Sequence, residues 1–305
     1  MKDTVIFCGS SNFPLGKSVV KNLGTRFGSL DIEFFPNGES RIRVLESVKD
    51  KEVIILQSTN DPTNKYIIEL CLVTDAAKRM GAKKVTAIIP WFGYSPQDKV
   101  FREGEPLSSE VVVRILESSG IDEFVLMDVH SPLVFEFFSK KVTNLTVIDL
   151  FADYMKDTFS VNPKHWCVAS LDKGGYERAV EFSTKLGIGL VQFHKTRDRS
   201  TGDVTFNRLE GEVKDKKIIS FDDFVSTGST LIQSADILKQ MGASEYFCCA
   251  THVVVNETIE RIQKSSIDKF ITTNSVNIPV LKDYSKANVI DISPFIADYI
   301  RKNFE

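Results

Sequence analysis

The sequence predicts an α/β protein made of two similar halves, each with a mainly parallel sheet flanked by helices. Short runs of branched apolar residues at 53–56, 85–89 and 124–127 have the composition of buried strands. Segments with apolar residues at helical spacing, at 65–80 and 108–118, lie between these runs. Strands that alternate with helices in this way are typical of parallel sheets.

The second half of the chain repeats two short blocks of the first half. Block 50–54 (DKEVI) resembles block 215–219 (DKKII), and block 78–82 (KRMGA) resembles block 239–243 (KQMGA), in the same order. Chance is the alternative for blocks this short. Because their order and their flanking strand-like runs also agree, we predict two copies of one α/β unit, with a boundary near 147–151.

The composition argues against several classes of protein. A chain of 305 residues with 42% hydrophobic and 26% charged residues is typical of a soluble globular protein, and its length predicts two domains. No apolar run approaches the ~18 residues of a membrane span, so no membrane partner is expected. The first residues lack the apolar stretch of a signal peptide, which predicts a cytoplasmic location. A net charge of −3 argues against a nucleic-acid partner.

The cysteines predict neither a disulfide framework nor a zinc site, because they are odd in number and show no C-x-x-C spacing. They are Cys8, Cys71, Cys167, Cys248 and Cys249. We expect all five to be buried thiols.

The most specific segment is 217–230 (KIISFDDFVSTGST), which predicts a strand, an acidic pair, a hydroxyl-rich loop and a helix. The loop consists of Ser226, Thr227, Gly228, Ser229 and Thr230. A loop of this kind at the start of a helix directs backbone N–H groups, hydroxyls and the helix dipole at one anion. It therefore predicts a site for a phosphomonoester.

The acidic pair, Asp222 and Asp223, is predicted at the carboxyl end of the strand before this loop. Two adjacent carboxylates there are placed to accept hydrogen bonds from neighbouring hydroxyls of a sugar whose phosphate occupies the loop. The alternative is an ordinary turn in which Ser226 or Thr227 only caps the helix. The first half has Gln57 and Ser58 at the matching place, so only the second half keeps the acids.

Five further motifs stand in a fixed order with this loop. They are 89–99 (IPWFGYSPQDK), 104–108 (GEPLS), 128–130 (DVH), 171–175 (LDKGG) and 195–197 (KTR). Together they resemble the ribose-phosphate pyrophosphokinase (phosphoribosyl pyrophosphate synthetase) family from about residue 7 to residue 277. The variants DKG, KTR and STG within these motifs look more like the archaeal branch of that family.

The resemblance implies two phosphoribosyltransferase-like domains. Residues 1–148 are expected to carry the nucleotide and metal motifs, and residues 149–305 the ribose-phosphate loop and a catalytic lid. It also implies an enzyme that transfers pyrophosphate from ATP to the 1-hydroxyl of ribose 5-phosphate, with Mg²⁺, giving phosphoribosyl pyrophosphate and AMP.

The resemblance assigns Lys195 and Arg197 the catalytic role of stabilising the negative charge that develops on the transferred group. The polar segment 195–203 around them has the composition of a mobile lid. His130 and Asp172 are implied as magnesium ligands. Asp128 is a further candidate, because Asp128 and His130 alternate at the end of a predicted strand and would project from one face.

The nucleotide site of the family is matched by two segments. One segment supplies Phe35, Asn37 and Glu39, which in the family come from a neighbouring subunit. The other segment supplies Pro96, Gln97 and Asp98. The resemblance therefore implies a homo-oligomer, at least a dimer. Asn37 stands where the family usually has aspartate, Pro96 where it has arginine, and Ser229 where it more often has glycine. The first two departures predict weaker and less selective nucleotide binding.

Two alternative functions remain open at this point. The departures at Asn37 and Pro96 would also fit a non-catalytic regulatory paralogue that associates with an active synthetase. A phosphoribosyltransferase that uses the product as donor is disfavoured, since one domain of this type suffices for it and it has no use for motif 89–99.

Overall fold

The structure is a computed structural model of the 305-residue chain. It describes residues 3–197 and 204–304, with the backbone alone at 195–197, 204–208 and 282. None of the helices in these ranges is both long and apolar enough to cross a membrane. The cytoplasmic location stays a prediction.

The helices and strands alternate along the chain as predicted. The strands are β1 (Thr4–Cys8), β2 (Leu30–Phe34), β3 (Ser40–Val44), β4 (Glu52–Leu56), β5 (Lys84–Ile89), β6 (Glu123–Met127), β7 (Lys141–Leu145), β8 (Trp166–Ser170), β9 (Gly189–Arg197), β10 (Val204–Glu210), β11 (Lys217–Val225), β12 (Glu245–Val253), β13 (Lys269–Thr273) and β14 (Ala287–Ile290). The α-helices are α1 (Phe13–Leu23), α2 (Thr63–Arg79), α3 (Ser108–Ser118), α4 (Ile148–Phe159), α5 (Tyr176–Leu186), α6 (Ser229–Gln240), α7 (Glu257–Lys264) and α8 (Ser293–Phe304). Short 3-10 helices span Pro132–Phe137 and Pro279–Asp283.

The chain divides into two compact units. The first comprises Met1–Thr146, Asn274–Asn277 and Asp291–Glu305, and the second comprises Val147–Thr273 and Ile278–Ile290. The C-terminal helix α8 thus belongs with the first unit, where it packs on α1.

A short polar network ties the returning segments to the first unit. Asp291 accepts the backbone N–H of Ser293 at 2.9 Å and the side-chain amide of Asn274 at 2.7 Å. The Asn22 amide on α1 donates to the Ser293 hydroxyl at 2.9 Å. Asp291 therefore satisfies an otherwise unpaired N–H at the start of α8 while it fixes the segment around Asn274.

The first unit contains a five-stranded parallel sheet in the order β1-β4-β5-β6-β7, and β2 and β3 form a separate antiparallel hairpin. The central strands β4 and β5 are buried along nearly their whole length. Strands with both faces covered read as continuous apolar runs rather than as alternating ones, which is why the sequence revealed them.

The second unit contains a seven-stranded sheet in the order β10-β9-β8-β11-β12-β13-β14. All its neighbours pair in parallel except β10, which pairs antiparallel with β9 at the edge. The prediction of two halves with mainly parallel sheets is confirmed.

One local prediction is wrong in its extent. Residues 195–197 were expected to belong to a loop, but their backbone ends strand β9 and pairs with residues 204–206 of β10. The pairs between β9 and β8 end at Gln192, so residues 195–197 pair on one side only, with β10, and a polar composition does not exclude a strand there. The rest of the predicted lid, 198–203, lies outside the described residues.

The two units repeat each other in backbone detail. The N–H of Asp50 donates to the Gly81 carbonyl at 2.9 Å, and the N–H of Asp215 donates to the Gly242 carbonyl at 2.8 Å. Both aspartates have a left-handed φ, 61° and 59°. Asp tolerates this region better than most residues, so the sequence match has a conformational cause. The predicted duplication is confirmed at these positions.

The same correspondence holds at the next strand of each sheet. A carboxylate oxygen of Asp122 accepts the N–H of Val85 at 2.7 Å, and one of Asp268 accepts the N–H of Tyr246 at 2.7 Å. A lysine from the preceding helix pairs with each carboxylate. Asp122 and Asp268 are not in the repeated blocks, so the duplication extends beyond them.

The cysteines are free thiols. Cys8, Cys167, Cys248 and Cys249 are buried as predicted, whereas Cys71 is only half-buried. Burial raises the pKa of Cys8 to about 12 and that of Cys167 to about 11, so both stay protonated at neutral pH.

The matched glycines give a stability prediction. Gly81 and Gly242 have φ of 86° and 90°, and a Cβ on each would lie 3.3 Å from Lys49 or Lys214. We expect Gly81→Ala and Gly242→Ala each to lower the free energy of unfolding by ~1–2 kcal/mol, because the left-handed region penalises a Cβ. Denaturant unfolding measures this. Gly189→Ala is the control, because its φ is not left-handed and its Cβ would approach no closer than 3.9 Å. Equal losses for all three would contradict the account.

Candidate functional site

The acidic pair lies on β11, close to its carboxyl end. β11 continues to Val225, so the acids are part of the strand, and Asp222 is paired with Ala250 of β12. The Asp222 side chain is 39% exposed and that of Asp223 only 2%. The Asp222 carboxylate is thus accessible to a ligand from solvent, whereas the Asp223 carboxylate is buried behind the surface.

Arg178, on α5, joins the two acids. Its Nη1 donates to Oδ1 of Asp222 at 3.0 Å and to Oδ1 of Asp223 at 2.9 Å. Burial raises the pKa of Asp222 well above its ordinary value, and the Asp223 carboxylate adds to the rise, whereas the Arg178 charge lowers it. The charge of Asp172 raises the same pKa, which places a third carboxylate within electrostatic reach.

The hydroxyl-rich loop 226–230 follows β11 and includes the first two residues of α6. The N-cap of α6 is Gly228, with a left-handed φ of 72°, and it makes no side-chain cap hydrogen bond. The alternative in which Ser226 or Thr227 only caps the helix is therefore wrong. Ser226, Thr227 and Thr230 are exposed. The loop offers hydroxyls and the N-terminus of a helix at the protein surface, as a phosphate site requires.

Helix α7 supports this loop, a role that the sequence did not reveal. The Thr258 hydroxyl donates to the Ser226 carbonyl, and the Arg261 guanidinium donates to the Thr227 carbonyl. Arg261 also donates to the Ser229 hydroxyl at 3.0 Å. Thr258 and Arg261 are three residues apart, hence on one face of the helix. Hydrogen bonds from α7 thus stabilise the loop, and the Arg261 guanidinium places a positive charge beside it.

Asp172 lies in the turn after β8, the strand next to β11. Its Oδ1 accepts the N–H of Gly175 at 2.8 Å, and its carbonyl accepts the Ser170 hydroxyl at 2.9 Å. These bonds shape the turn and leave the Asp172 side chain exposed. Asp172, the acidic pair and loop 226–230 all follow or end strands of one sheet, where parallel sheets place their ligands.

Asp128 and His130 do not continue β6, which was the basis for grouping them. The strand ends at Met127, and Asp128 has a left-handed φ of 40°. Val129 is buried, Asp128 is half-buried and His130 is exposed. Periodicity within a strand therefore does not decide their directions. No group of three or more potential metal ligands occurs among residues 3–197 and 204–304.

The segment 91–98 is anchored by its aromatic residues. Trp91 and Phe92 are buried, and Gly93 is packed so closely that a Cβ would lie 2.4 Å from the Thr59 carbonyl oxygen. Gln97 accepts the Ser108 hydroxyl through Oε1 at 2.7 Å. Asp98 is buried, Pro96 half-buried and Gln97 exposed.

A polar cavity of about 460 Å³ lies beside this segment, in the first unit. It is lined by Asp61, Pro62, Thr63, Asn64, Tyr94 and Gln97. Asp61 follows Asp50 by eleven residues, as Ser226 follows Asp215. The cavity thus borders the place that the phosphate loop occupies in the second unit, with a carboxylate in place of the first hydroxyl. A negative charge there disfavours a phosphate.

Phe35, Asn37 and Glu39 form the tip of the β2–β3 hairpin. The Phe35 N–H donates to the Glu39 carbonyl at 2.8 Å, and the Glu39 N–H donates to Oδ1 of Asn37 at 3.2 Å. Phe35 is 45% exposed. The amide oxygen of Asn37 is thus already engaged by its own turn, so it is a poorer acceptor for a nucleobase than a free amide oxygen would be.

Lys195 and Arg197 lie at the end of β9, and their side chains are outside the described residues. Their catalytic role stays a prediction. Their strand, β9, is the neighbour of β8, and Asp172 lies in the turn that follows β8.

Comparison with known proteins covers nearly the whole chain. A family model for the N-terminal domain of ribose phosphate pyrophosphokinase matches residues 4–120, and a model for the phosphoribosyl transferase domain matches residues 142–285. Ribose-phosphate pyrophosphokinase of Helicobacter hepaticus is 36% identical over 303 residues, covering 99% of this chain and 96% of that protein. The Campylobacter jejuni protein of the same name is 33% identical over 303 residues, with the same coverage.

A solved structure agrees with these sequence matches. The crystal structure of phosphoribosylpyrophosphate synthetase from Mycobacterium smegmatis has a TM-score of 0.90 with this chain at 31% identity and covers 99% of both chains. These three relatives are bacterial, and the archaeal character of the motif variants stays a prediction.

The support of the loop by α7 gives a binding prediction. We expect Arg261→Met to weaken ribose 5-phosphate binding by ~10-fold, because it removes a charge beside the loop and two of the loop's hydrogen bonds. Titration calorimetry measures the affinity. Lys264→Met is the control, since Lys264 lies on the same helix and pairs with Glu260 at the surface. Unchanged affinity in Arg261→Met would mean that the loop needs no support from α7.

Proposed function

The chain belongs to the ribose phosphate pyrophosphokinase family, and we propose that its second unit binds ribose 5-phosphate while its first unit carries the nucleotide residues. The chain catalyses the transfer of pyrophosphate from ATP to the 1-hydroxyl of ribose 5-phosphate, giving phosphoribosyl pyrophosphate and AMP. Its two phosphoribosyltransferase-like domains match this family. The observation that carries the proposed site is the acidic pair on β11 next to the exposed hydroxyl loop of α6.

Loop 226–230 and the acids suit the two ends of ribose 5-phosphate. The phosphate meets the first N–H groups of α6 and the loop hydroxyls, with the Arg261 guanidinium nearby. The carboxylates of Asp222 and Asp223 accept hydrogen bonds from the 2- and 3-hydroxyls, and charge-assisted bonds of this kind are stronger than neutral ones. Held at both ends, the sugar presents its 1-hydroxyl in a fixed direction, which lowers the entropic part of the barrier.

In the proposed reaction the 1-hydroxyl oxygen attacks the β-phosphorus of ATP in line. The new bond joins that oxygen to the β-phosphorus, the hydroxyl gives up its proton to solvent, and the bond between the β-phosphorus and the oxygen that leaves with AMP breaks. Negative charge spreads over the non-bridging oxygens, and positioned cations supply most of the stabilisation. We assign this role to Lys195 and Arg197, whose place at the end of β9 brings them to the same edge of the sheet as Asp172.

Magnesium is part of this proposal, and the available donors fit it. Mg²⁺ binds proteins through one or two carboxylates together with substrate phosphates, so it needs no large cluster of protein ligands. Asp172 is exposed and Asp128 is half-buried, and both carry the preferred carboxylate oxygens. The imidazole of His130 is a less typical donor for this ion. When bound, the ion neutralises charge on the phosphate oxygens.

We further propose that the nucleotide site combines segment 96–98 with the hairpin tip of a neighbouring subunit, so the enzyme is at least a homodimer. Phe34 and Phe35, each 45% exposed, give this tip an apolar surface that a partner or a purine would cover. Pro96 has neither charge nor N–H donor, and the oxygen of Asn37 is engaged within its turn. Both features support weak and unselective nucleotide binding.

The proposed catalytic role is tested by AMP release. We expect wild type to release AMP only when ribose 5-phosphate is present, and Lys195→Ala and Arg197→Ala each to lower kcat by at least ~10²-fold. Binding of ribose 5-phosphate, measured by calorimetry, should stay within a few-fold of wild type, because the two cations act on charge that develops during transfer. A parallel loss of sugar affinity would make this segment a substrate clamp instead.

The nucleotide departure is tested at position 96. We expect Pro96→Arg to lower the Michaelis constant for ATP by an amount equivalent to ~1–3 kcal/mol, since it adds a charged donor near the phosphates or the purine. The preference for ATP over GTP and CTP should increase as well. Pro96→Ala removes the ring without adding charge and is the matched control. If Pro96→Ala matches the gain of Pro96→Arg, the cause is backbone freedom rather than charge.

A further inference from the structure

We propose that Arg178 is a positioning residue that makes Asp222 and Asp223 one receptor for the sugar diol. This inference deepens the proposed function and rests on it. Arg178 lies outside the motif positions that suggested the site, and its contacts emerge only from the structure. A single nitrogen, Nη1, lies 3.0 Å from Asp222 Oδ1 and 2.9 Å from Asp223 Oδ1.

The packing of α5 explains why Arg178 reaches both acids. Phe182 of α5 stacks on Phe221 of β11, with ring centroids 4.9 Å apart. Arg178 lies one helical turn before Phe182 on the same face, and Asp223 lies two residues after Phe221, hence on the same face of β11. Because α5 follows β8 and leads back to the parallel strand β9, its first turn lies at the carboxyl end of the sheet. The aromatic contact therefore fixes the register that delivers the guanidinium to the acids.

The pair needs such a cation because two adjacent carboxylates repel each other. Without a counter-charge, one of them would take up a proton or turn away, and a protonated acid is a poorer acceptor. Burial is the main cause of the raised pKa of Asp222, the Asp223 carboxylate adds to the rise, and the Arg178 charge opposes it. The Asp172 charge adds to the same repulsion, so one arginine balances an excess of negative charge.

The contacts also set the direction of the Asp222 carboxylate. Its Oδ1 accepts both Arg178 Nη1 and the N–H of Asp223, at 3.0 and 2.9 Å. Two bonds on one oxygen fix the carboxylate plane and make Oδ2 the oxygen that is offered to a hydroxyl. A side chain that is 39% exposed would otherwise rotate, and ordering it during binding would cost affinity.

The test compares ribose 5-phosphate with 2-deoxyribose 5-phosphate in the intact enzyme. We expect Arg178→Gln to raise the KM for ribose 5-phosphate by ~10- to 100-fold, with the KM for ATP within twofold of wild type. Discrimination against the deoxy sugar should shrink, because the diol contacts are what the variant loses. Arg178→Lys, which keeps the charge without the planar fork, should lie between the two.

Two further variants separate positioning from general damage. Since Arg178 acts through the acids, Arg178→Gln combined with Asp222→Asn should bind ribose 5-phosphate only ~3-fold less tightly than Asp222→Asn alone. Lys185→Gln, on the same helix, removes an ion pair with Asp149 and should leave both KM values unchanged. Fully additive losses, or equal rises in both KM values, would overturn the role of Arg178.

The outcomes also distinguish this inference from the function beneath it. If wild type binds both sugars equally, the acids do not read the diol, and the proposed sugar site is wrong. If wild type prefers ribose 5-phosphate over the deoxy sugar and Arg178→Gln keeps that preference in full, the proposed site stands and the role of Arg178 is overturned. Arg178→Lys replaces Arg178→Gln in this comparison if the latter does not fold.

Discussion

Two carboxylates side by side on one strand are costly, because each raises the free energy of the other's ionised form. The second unit keeps both on β11 by bringing one guanidinium from α5 to within 3.0 Å of each. That contact depends on Phe182 stacking on Phe221 and on parallel strands that place the start of α5 at the carboxyl edge of the sheet. The sugar site therefore depends on core packing as much as on the residues that touch the ligand.

The duplication shows how one scaffold supports different chemistry in its two copies. The bonds from Asp50 to Gly81 and from Asp215 to Gly242 are the same within 0.1 Å, as the distances of 2.9 and 2.8 Å show. At the following loop the copies diverge, with Asp61 where the second has Ser226. The scaffold contacts are backbone bonds that many sequences allow, whereas the loop must match a ligand. The first copy thus keeps the framework and a polar cavity but not the phosphate loop.

Local patterns predicted strands β4, β5, β6 and β11, helices α2 and α3, and loop 226–230, because periodicity and turn composition are properties of neighbouring residues. They missed Arg178 and Arg261, whose longest-range contacts lie 45 and 34 residues away along the chain and follow from how a helix packs on a sheet. The left-handed Asp128 broke the expected alternation of the metal motif. The strand at 195–197 was hidden by its charge, because composition does not record that a strand segment paired on one side only tolerates polar residues.

The central claim is that the second copy alone receives the sugar phosphate. A crystal structure of the enzyme with ribose 5-phosphate tests it most directly. The account predicts the phosphate at the start of α6, within hydrogen-bond distance of loop 226–230, and the 2- and 3-hydroxyls on Asp222 and Asp223. A sugar phosphate bound instead in the cavity beside Asp61, with the acidic pair vacant, would contradict it.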